Sequence, residues 1–276
     1  MSLKLKDLNM GKFSMCLLVS LLALIPAAAS AQTIPFNFAV PTVFSTIGTT
    51  PHTQEAPLVW YADRYSPCGF TAASGVLTES VCPVDFQTPN PNFADTQGNK
   101  FDLLPGTTSV SIYVYVPSTW ELLPERLAGF WATAVDSSYN PNGGDYPIIE
   151  FQGPTTTEVA GPSYWPNGGV AGFYGWNNTA NSGGGGWDLI GLPAGFKYNS
   201  WVKLTMTLTP AAGLSPAQLT YTVGTGGTAV SKSSPLSDPT DTYLTNVILE
   251  AYNYDTPYSI KWKSLSFSFN SNGQLK

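Results

Sequence analysis

Alternation of apolar and polar positions is the strongest signal in this chain. In Thr107–Pro117, Val110, Ile112, Val114 and Val116 alternate with Ser109, Ser111, Tyr113 and Tyr115. Successive side chains of a strand point to opposite faces, so this run predicts a strand buried on its aliphatic side. Trp201–Thr209 repeats the pattern, with Val202, Leu204, Met206 and Leu208 against Lys203, Thr205, Thr207 and Thr209. Gln218–Val223 alternates likewise after a Pro/Gly turn and predicts a hairpin with it. Leu244–Tyr252 and Ser259–Phe269 are read as the last two strands. In the second, Ile260, Trp262, Ser264, Ser266 and Ser268 are expected on one face, opposite Lys261, Lys263, Leu265, Phe267 and Phe269. Shorter strands are expected at Pro35–Val40, Gly75–Glu79, Val84–Phe86, Gly129–Val135, Tyr146–Phe151, Glu158–Ala160, Gly169–Trp176 and Trp187–Gly191. Asn90–Lys100 reads as loop, and Leu122–Leu127 as one helical turn or none. Many short strands with no helix between them predict antiparallel sheets packed as a sandwich.

The first residues read differently. Lys4, Lys6 and Lys12 precede an apolar run, Leu17–Ile25, and a small-residue site, Ala29-Ser30-Ala31. This is the pattern of a secretory signal peptide over residues 1–31. Its apolar run is too short to favour a membrane span. The expectation is a soluble exported protein, extracellular or periplasmic, beginning at Gln32. It would have an extended lead-in over 32–57, one domain over 58–270 and a tail over 271–276.

Charge and cysteine content narrow the chemistry. The chain has a formal net charge of −6. Without Lys4, Lys6, Lys12 and Asp7 it has nine basic and seventeen acidic side chains, a net charge of −8. Such a chain has no electrostatic reason to bind nucleic acid or anionic lipid, although a local basic cleft could override this for a polyanionic glycan. Cys68 and Cys82 are the cysteines left after the leader, and in an exported chain they predict a disulfide stabilising the fold by about 3 kcal/mol. His52 is the one histidine, which excludes a Cys/His zinc site and a Cys-protease dyad in practice. No Gly-x-Ser-x-Gly elbow is present for a serine hydrolase.

The candidate chemistry concentrates in Gly129–Phe151, where two β-prone runs flank the turn-rich insert Asp136–Asp145. Glu150 is a carboxylate in an otherwise apolar run. Asp136, Asn140, Asn142 and Asp145 are oxygen donors close enough in sequence to hold Ca²⁺, although their spacing is not that of an EF-hand and turn formation is the simpler account of them. No cofactor is required by any other feature. Aromatic residues crowd the same half of the chain: Trp131, Tyr139, Tyr146, Trp165, Tyr174, Trp176 and Trp187. They could present platforms to the apolar faces of sugar rings or fill a wide core. Trp165 and Trp176, beside turn residues and Asn177-Asn178, are the better platforms. Trp201 and Trp262 are read as core.

Tyr198-Asn199-Ser200-Trp201-Val202-Lys203-Leu204-Thr205-Met206-Thr207-Leu208, followed by Tyr221-Thr222-Val223-Gly224, resembles a signature of concanavalin A-like jelly rolls, the superfamily of laminin-G-like lectin domains and bacterial β-glucanases. The closing run Ser259–Phe267 is similar to the last strand of such domains. The resemblance implies an all-β, antiparallel jelly-roll β-sandwich of two packed sheets, and glycan binding on the concave sheet. The glucanases of the superfamily carry alternating carboxylates on one strand, where alternate residues share a face and can flank a glycosidic bond. With Glu150-Phe151 set on the end of that motif, the upstream positions are Ile148 and Tyr146, not carboxylates. An enzyme would need a second carboxylate from elsewhere, and Glu250 is the candidate. The expected function is therefore noncatalytic binding of a polysaccharide or other glycan through Trp131, Tyr139, Tyr146, Glu150, Trp165 and Trp176. The alternatives are a glycoside hydrolase or polysaccharide lyase using Glu150 and Glu250, or a structural surface domain.

Overall fold

The protein is described from a computed structural model, over residues 32–36, 60–63, 67–81, 96–123, 126–140, 145–154, 169–180, 185–252 and 257–269. Fifteen strands are formed by these residues. They are β1 (Gln32–Phe36), β2 (Trp60–Ala62), β3 (Gly69–Ala73), β4 (Val76–Val81), β5 (Thr96–Asp102), β6 (Thr107–Val116), β7 (Leu127–Val135) and β8 (Ile148–Gln152). The rest are β9 (Gly172–Asn177), β10 (Gly186–Gly191), β11 (Ser200–Thr209), β12 (Gln218–Val223), β13 (Val230–Pro235), β14 (Tyr243–Tyr252) and β15 (Tyr258–Phe269). An eight-stranded sheet runs β13-β12-β11-β6-β15-β4-β3, with β1 also on β15. A seven-stranded sheet runs β10-β9-β8-β7-β14-β5-β2. Every strand pair is antiparallel, and the two sheets form a jelly-roll sandwich.

The alternation sets which side of each strand is buried. Val110, Ile112, Val114 and Val116 of β6 and Val202, Leu204, Met206 and Leu208 of β11 point into the core. Phe130, Ala132, Ile149, Phe151, Phe173, Val247 and Leu249 meet them from the seven-stranded sheet. Tyr221 of β12 ties the layers together. Its ring is buried, its hydroxyl donates to the Trp176 carbonyl at 2.7 Å, and it accepts from the Ile148 amide at 3.1 Å. Gly175 makes room for that ring, since a Cβ there would lie 2.5 Å from Tyr221 Cδ2.

The structure corrects the sequence reading at several points. Residues 32–36 of the expected lead-in form an edge strand on β15. Within the expected loop Asn90–Lys100, residues 96–100 belong to β5, and β2, β3 and β13 are further strands that the alternation does not predict. A 3-10 turn forms at Ser118–Glu121, just ahead of Leu122–Leu127, and another at Gly226–Thr228. In β15 the pairing shifts between Lys263 and Ser266, and Ser264 has φ 53°. That irregularity switches the faces, so Ile260, Trp262, Leu265 and Phe267 are all buried instead of lying on opposite sides. Trp262 fills the core as expected, but Trp201 does not: it shares the outward face of β11 with Lys203 and is half-exposed. The expected strands Val84–Phe86 and Glu158–Ala160 lie outside the described residues.

Candidate functional site

The outward face of the seven-stranded sheet holds the residues singled out from the sequence. Antiparallel register places Glu250 opposite Gly129, and Gly129 opposite Glu150. The two carboxylates that the sequence leaves unconnected therefore lie in one row, on one face, two strands apart. At about 4.8 Å per strand their Cα atoms are about 10 Å apart. Tyr174 continues the row beside Glu150, and Gly98 continues it beside Glu250.

The side chains use that row in a specific way. Trp131 folds over Gly129, where a Cβ would lie 2.6 Å from its Nε1. Its Nε1 donates to Glu150 Oε1 at 2.8 Å, and Gln152 Nε2 donates to Glu150 Oε2 at 3.0 Å. Glu250 leans the other way, over Gly98, where a Cβ would lie 2.7 Å from its Cδ. The indole thus stands between the two carboxylates. Both glutamates are wholly buried. Burial pushes the Glu150 carboxyl up to about 7, with the Gln152 and Trp131 hydrogen bonds opposing the shift.

Beside this buried centre the face opens. Trp131, Ile148 and Ile248 form a small apolar cluster, and Trp176 and Trp187 pack against it half-buried. These two indoles meet edge-on, 5.2 Å apart at 72°. Gly185, at φ 77°, backs the Trp176 ring, and a Cβ there would lie 2.1 Å from it. Tyr146 is 43% exposed. Its amide donates to Asn178 Oδ1 at 3.3 Å, while the buried Asn178 Nδ2 meets no acceptor. Asn177 Nδ2 donates to Asp188 Oδ2 at 3.2 Å. Leu189 and Val170, both exposed, border the same patch.

The sequence-derived residues therefore divide. Trp131 and Glu150 lie beneath the surface, where the sequence pattern has them lining a groove. Tyr146 and Trp176 stay at the surface, and Trp187 joins them. In the sequence Trp187 is one of many aromatics, and what sets it apart is its place in β10, on the same side as Leu189. Tyr139, at φ 63°, stacks on Tyr243 with ring centroids 5.6 Å apart. Trp165, Asn142 and Cys82 lie outside the described residues.

The oxygen donors of the 136–145 loop also separate. Asp136 Oδ1 accepts from the Ser138 and Asn140 amides at 2.7 and 2.9 Å, closing a turn, and Asn140 is exposed. Asp145 faces the other way and is buried. It accepts from the Ser237 amide at 3.2 Å, the Ser237 hydroxyl at 2.5 Å and the Asp238 amide at 2.7 Å. Among the described residues, no group of three Asp, Glu, His or Cys side chains converges as a metal site.

No family model matches the chain, and neither does any curated protein. Solved structures similar to it include lectin II from Ulex europaeus, 13% identical, with 87% of this chain and 98% of that one covered at a TM-score of 0.46. The alginate lyase vAL-1 from Chlorella virus is 9% identical, with 73% and 88% covered at 0.41. LamAcat from Zobellia galactanivorans is 13% identical, with 76% and 90% covered at 0.36. At such values the architecture rests on the strand order and register described above. Among the described residues no helix is long and apolar enough to cross a membrane.

Proposed function

We propose that the protein is an exported glycan-binding module that grips a sugar chain on the outward face of its seven-stranded sheet without cleaving it. The observation that carries this reading is the half-buried Trp176–Trp187 pair beside exposed Tyr146. A pyranose ring has an apolar C–H face that an indole covers well, and hydroxyls that need polar partners. Asp188 and Asn177, half-buried beside the indoles, are such polar groups. Glu150 and Trp131 set the shape of the site from below by fixing one another. The test is a polysaccharide pull-down with Trp176→Ala and Trp187→Ala. Each is expected to weaken binding about tenfold or more, and unchanged binding in both would remove the reading.

One observation favours a second reading, a glycan-cleaving enzyme. Glu150 and Glu250 share a row and a face, and the raised pKa of Glu150 suits a general acid. Against it, both carboxylates are buried and an indole separates them. Release of reducing ends from any polysaccharide, abolished by Glu150→Gln, would establish it in place of the first.

A further inference from the structure

Charge is distributed unequally over the eight-stranded sheet. Its strands carry one carboxylate, Glu79, and it is turned into the core. They carry four lysines: Lys203, Lys232, Lys261 and Lys263. Lys232 reaches Asp188 at 3.8 Å, at the edge of the sandwich. The other three gather at its middle. Register puts Lys203, Tyr113 and Lys263 in one row across β11, β6 and β15. Trp201 and Tyr115 pair in the next row, where the same register brings Lys261 alongside.

Aromatic rings hold Lys261 and Lys263 in place. The Lys263 ammonium lies 4.4 Å from the Trp201 ring centroid and 5.6 Å from that of Tyr113. Lys261 lies 5.9 Å from the Tyr115 ring. Tyr115 and Trp201 meet edge-on at 5.4 Å. Among the described residues no carboxylate comes within ion-pair distance of the three ammoniums. In a protein with so large an excess of acid, three clustered and unneutralised lysines are a preformed anion site. Below them the same face continues as two rows of hydroxyls, Thr222–Thr205–Ser111–Ser266 and Thr220–Thr207–Ser109–Ser268.

We propose that this outward face binds an acidic polysaccharide, a chain bearing uronate or sulfate groups. It is a second site, separate from the one on the seven-stranded sheet. The ammoniums pair with the acid groups, and the Ser/Thr rows exchange hydrogen bonds with sugar hydroxyls. Nucleic acid fits less well, because the Trp201 face is covered by Lys263 and is not open to a stacking base. A membrane surface fits less well too, since among the described side chains none of the large exposed apolar ones belongs to these strands.

Affinity electrophoresis of the exported chain tests this, using alginate as the uronate probe, dextran sulfate as the sulfate probe and neutral dextran as the control. Retention by at least one polyanion at low salt, abolished by high salt, is expected. Lys261→Gln with Lys263→Gln should weaken it roughly tenfold and flatten its salt dependence, since fewer counterions are then released on binding. Lys232→Gln should leave it unchanged. If the double variant unfolds, Lys203→Gln alone is read instead and should weaken retention several-fold. Trp187→Ala should not affect retention here, so the two sites can fail separately. Undiminished retention in a folded double variant, no retention on either polyanion, or tighter binding to a DNA duplex or to anionic vesicles would overturn the proposal.

Discussion

Glu79 and Glu150 are one residue type in two settings. Glu150 has two donors and rises to about 7, whereas Glu79 has one, Trp262 Nε1 at 3.0 Å, and burial lifts it to about 8. Its second oxygen, Oε1, meets no donor. A carboxyl held neutral in the folded state but free to ionise when unfolded favours the folded state most below its unfolded value. That contribution is lost as pH rises from about 4.5 towards the folded value of about 8. Glu79→Gln removes the ionisation and keeps an acceptor for Trp262. We expect it to stabilise the protein by about 2 kcal/mol at neutral pH, and to change little at pH 4, in urea unfolding. Trp131→Phe acts in the opposite sense on Glu150. It deletes a donor to a buried carboxylate, so NMR titration of the Glu150 carboxyl should show its pKa rising further.

At the scale of strands, much of the fold was legible. β6, β11 and β12 follow from alternation because one side of each is core and the other is not. β5 was hidden, since its sequence Thr-Gln-Gly-Asn-Lys-Phe-Asp reads as a turn. Gly98 is there for space, because a Cβ would lie 2.2 Å from the Leu249 carbonyl across the pair. The face switch in β15 was hidden because a bulge leaves no mark in an alternating Ser/Lys/aromatic run. The Glu150–Gly129–Glu250 row was hidden for a more general reason: period-2 patterning gives a face but not which strands are neighbours. Gly129 is what lets Trp131 lie flat between the two carboxylates. Gly129→Ala should therefore displace the indole and cost about 1–3 kcal/mol, seen as a lower urea midpoint together with a changed indole fluorescence. The β3–β4 hairpin bears on the expected disulfide. Gly69 pairs with Ser80, so Cys68 stands opposite Val81, one residue before Cys82 in sequence. A Cys68–Cys82 bridge should appear as one linked peptide pair in a non-reducing digest.

At the scale of the whole molecule, three buried acids act together. Glu79 is lifted to about 8, and Glu150 and Asp241 to about 7. Asp241 rises first through burial and then through Asp145 nearby, and neither of its oxygens meets an amide or hydroxyl donor. In the unfolded chain these groups ionise near their ordinary values of 4.5, 4.5 and 3.8. Between about pH 5 and 7 the folded protein thus holds up to three protons that the unfolded chain has released. Stability must fall as pH rises through this interval, by at most about 1.4 kcal/mol per pH unit for each proton held. The net charge adds to the trend, since an acidic chain repels itself more as its remaining carboxyls ionise. The protein should be most stable in mildly acidic solution and weaken towards pH 8, the reverse of a fold stabilised by ion-paired carboxylates. Urea midpoints measured at successive pH values check this, together with proton uptake on refolding at pH 6. A stability that rises from pH 5 to pH 8 would mean that these acids are ionised and partnered in the folded state, and that the buried rows of both sheets are wetter than their geometry indicates.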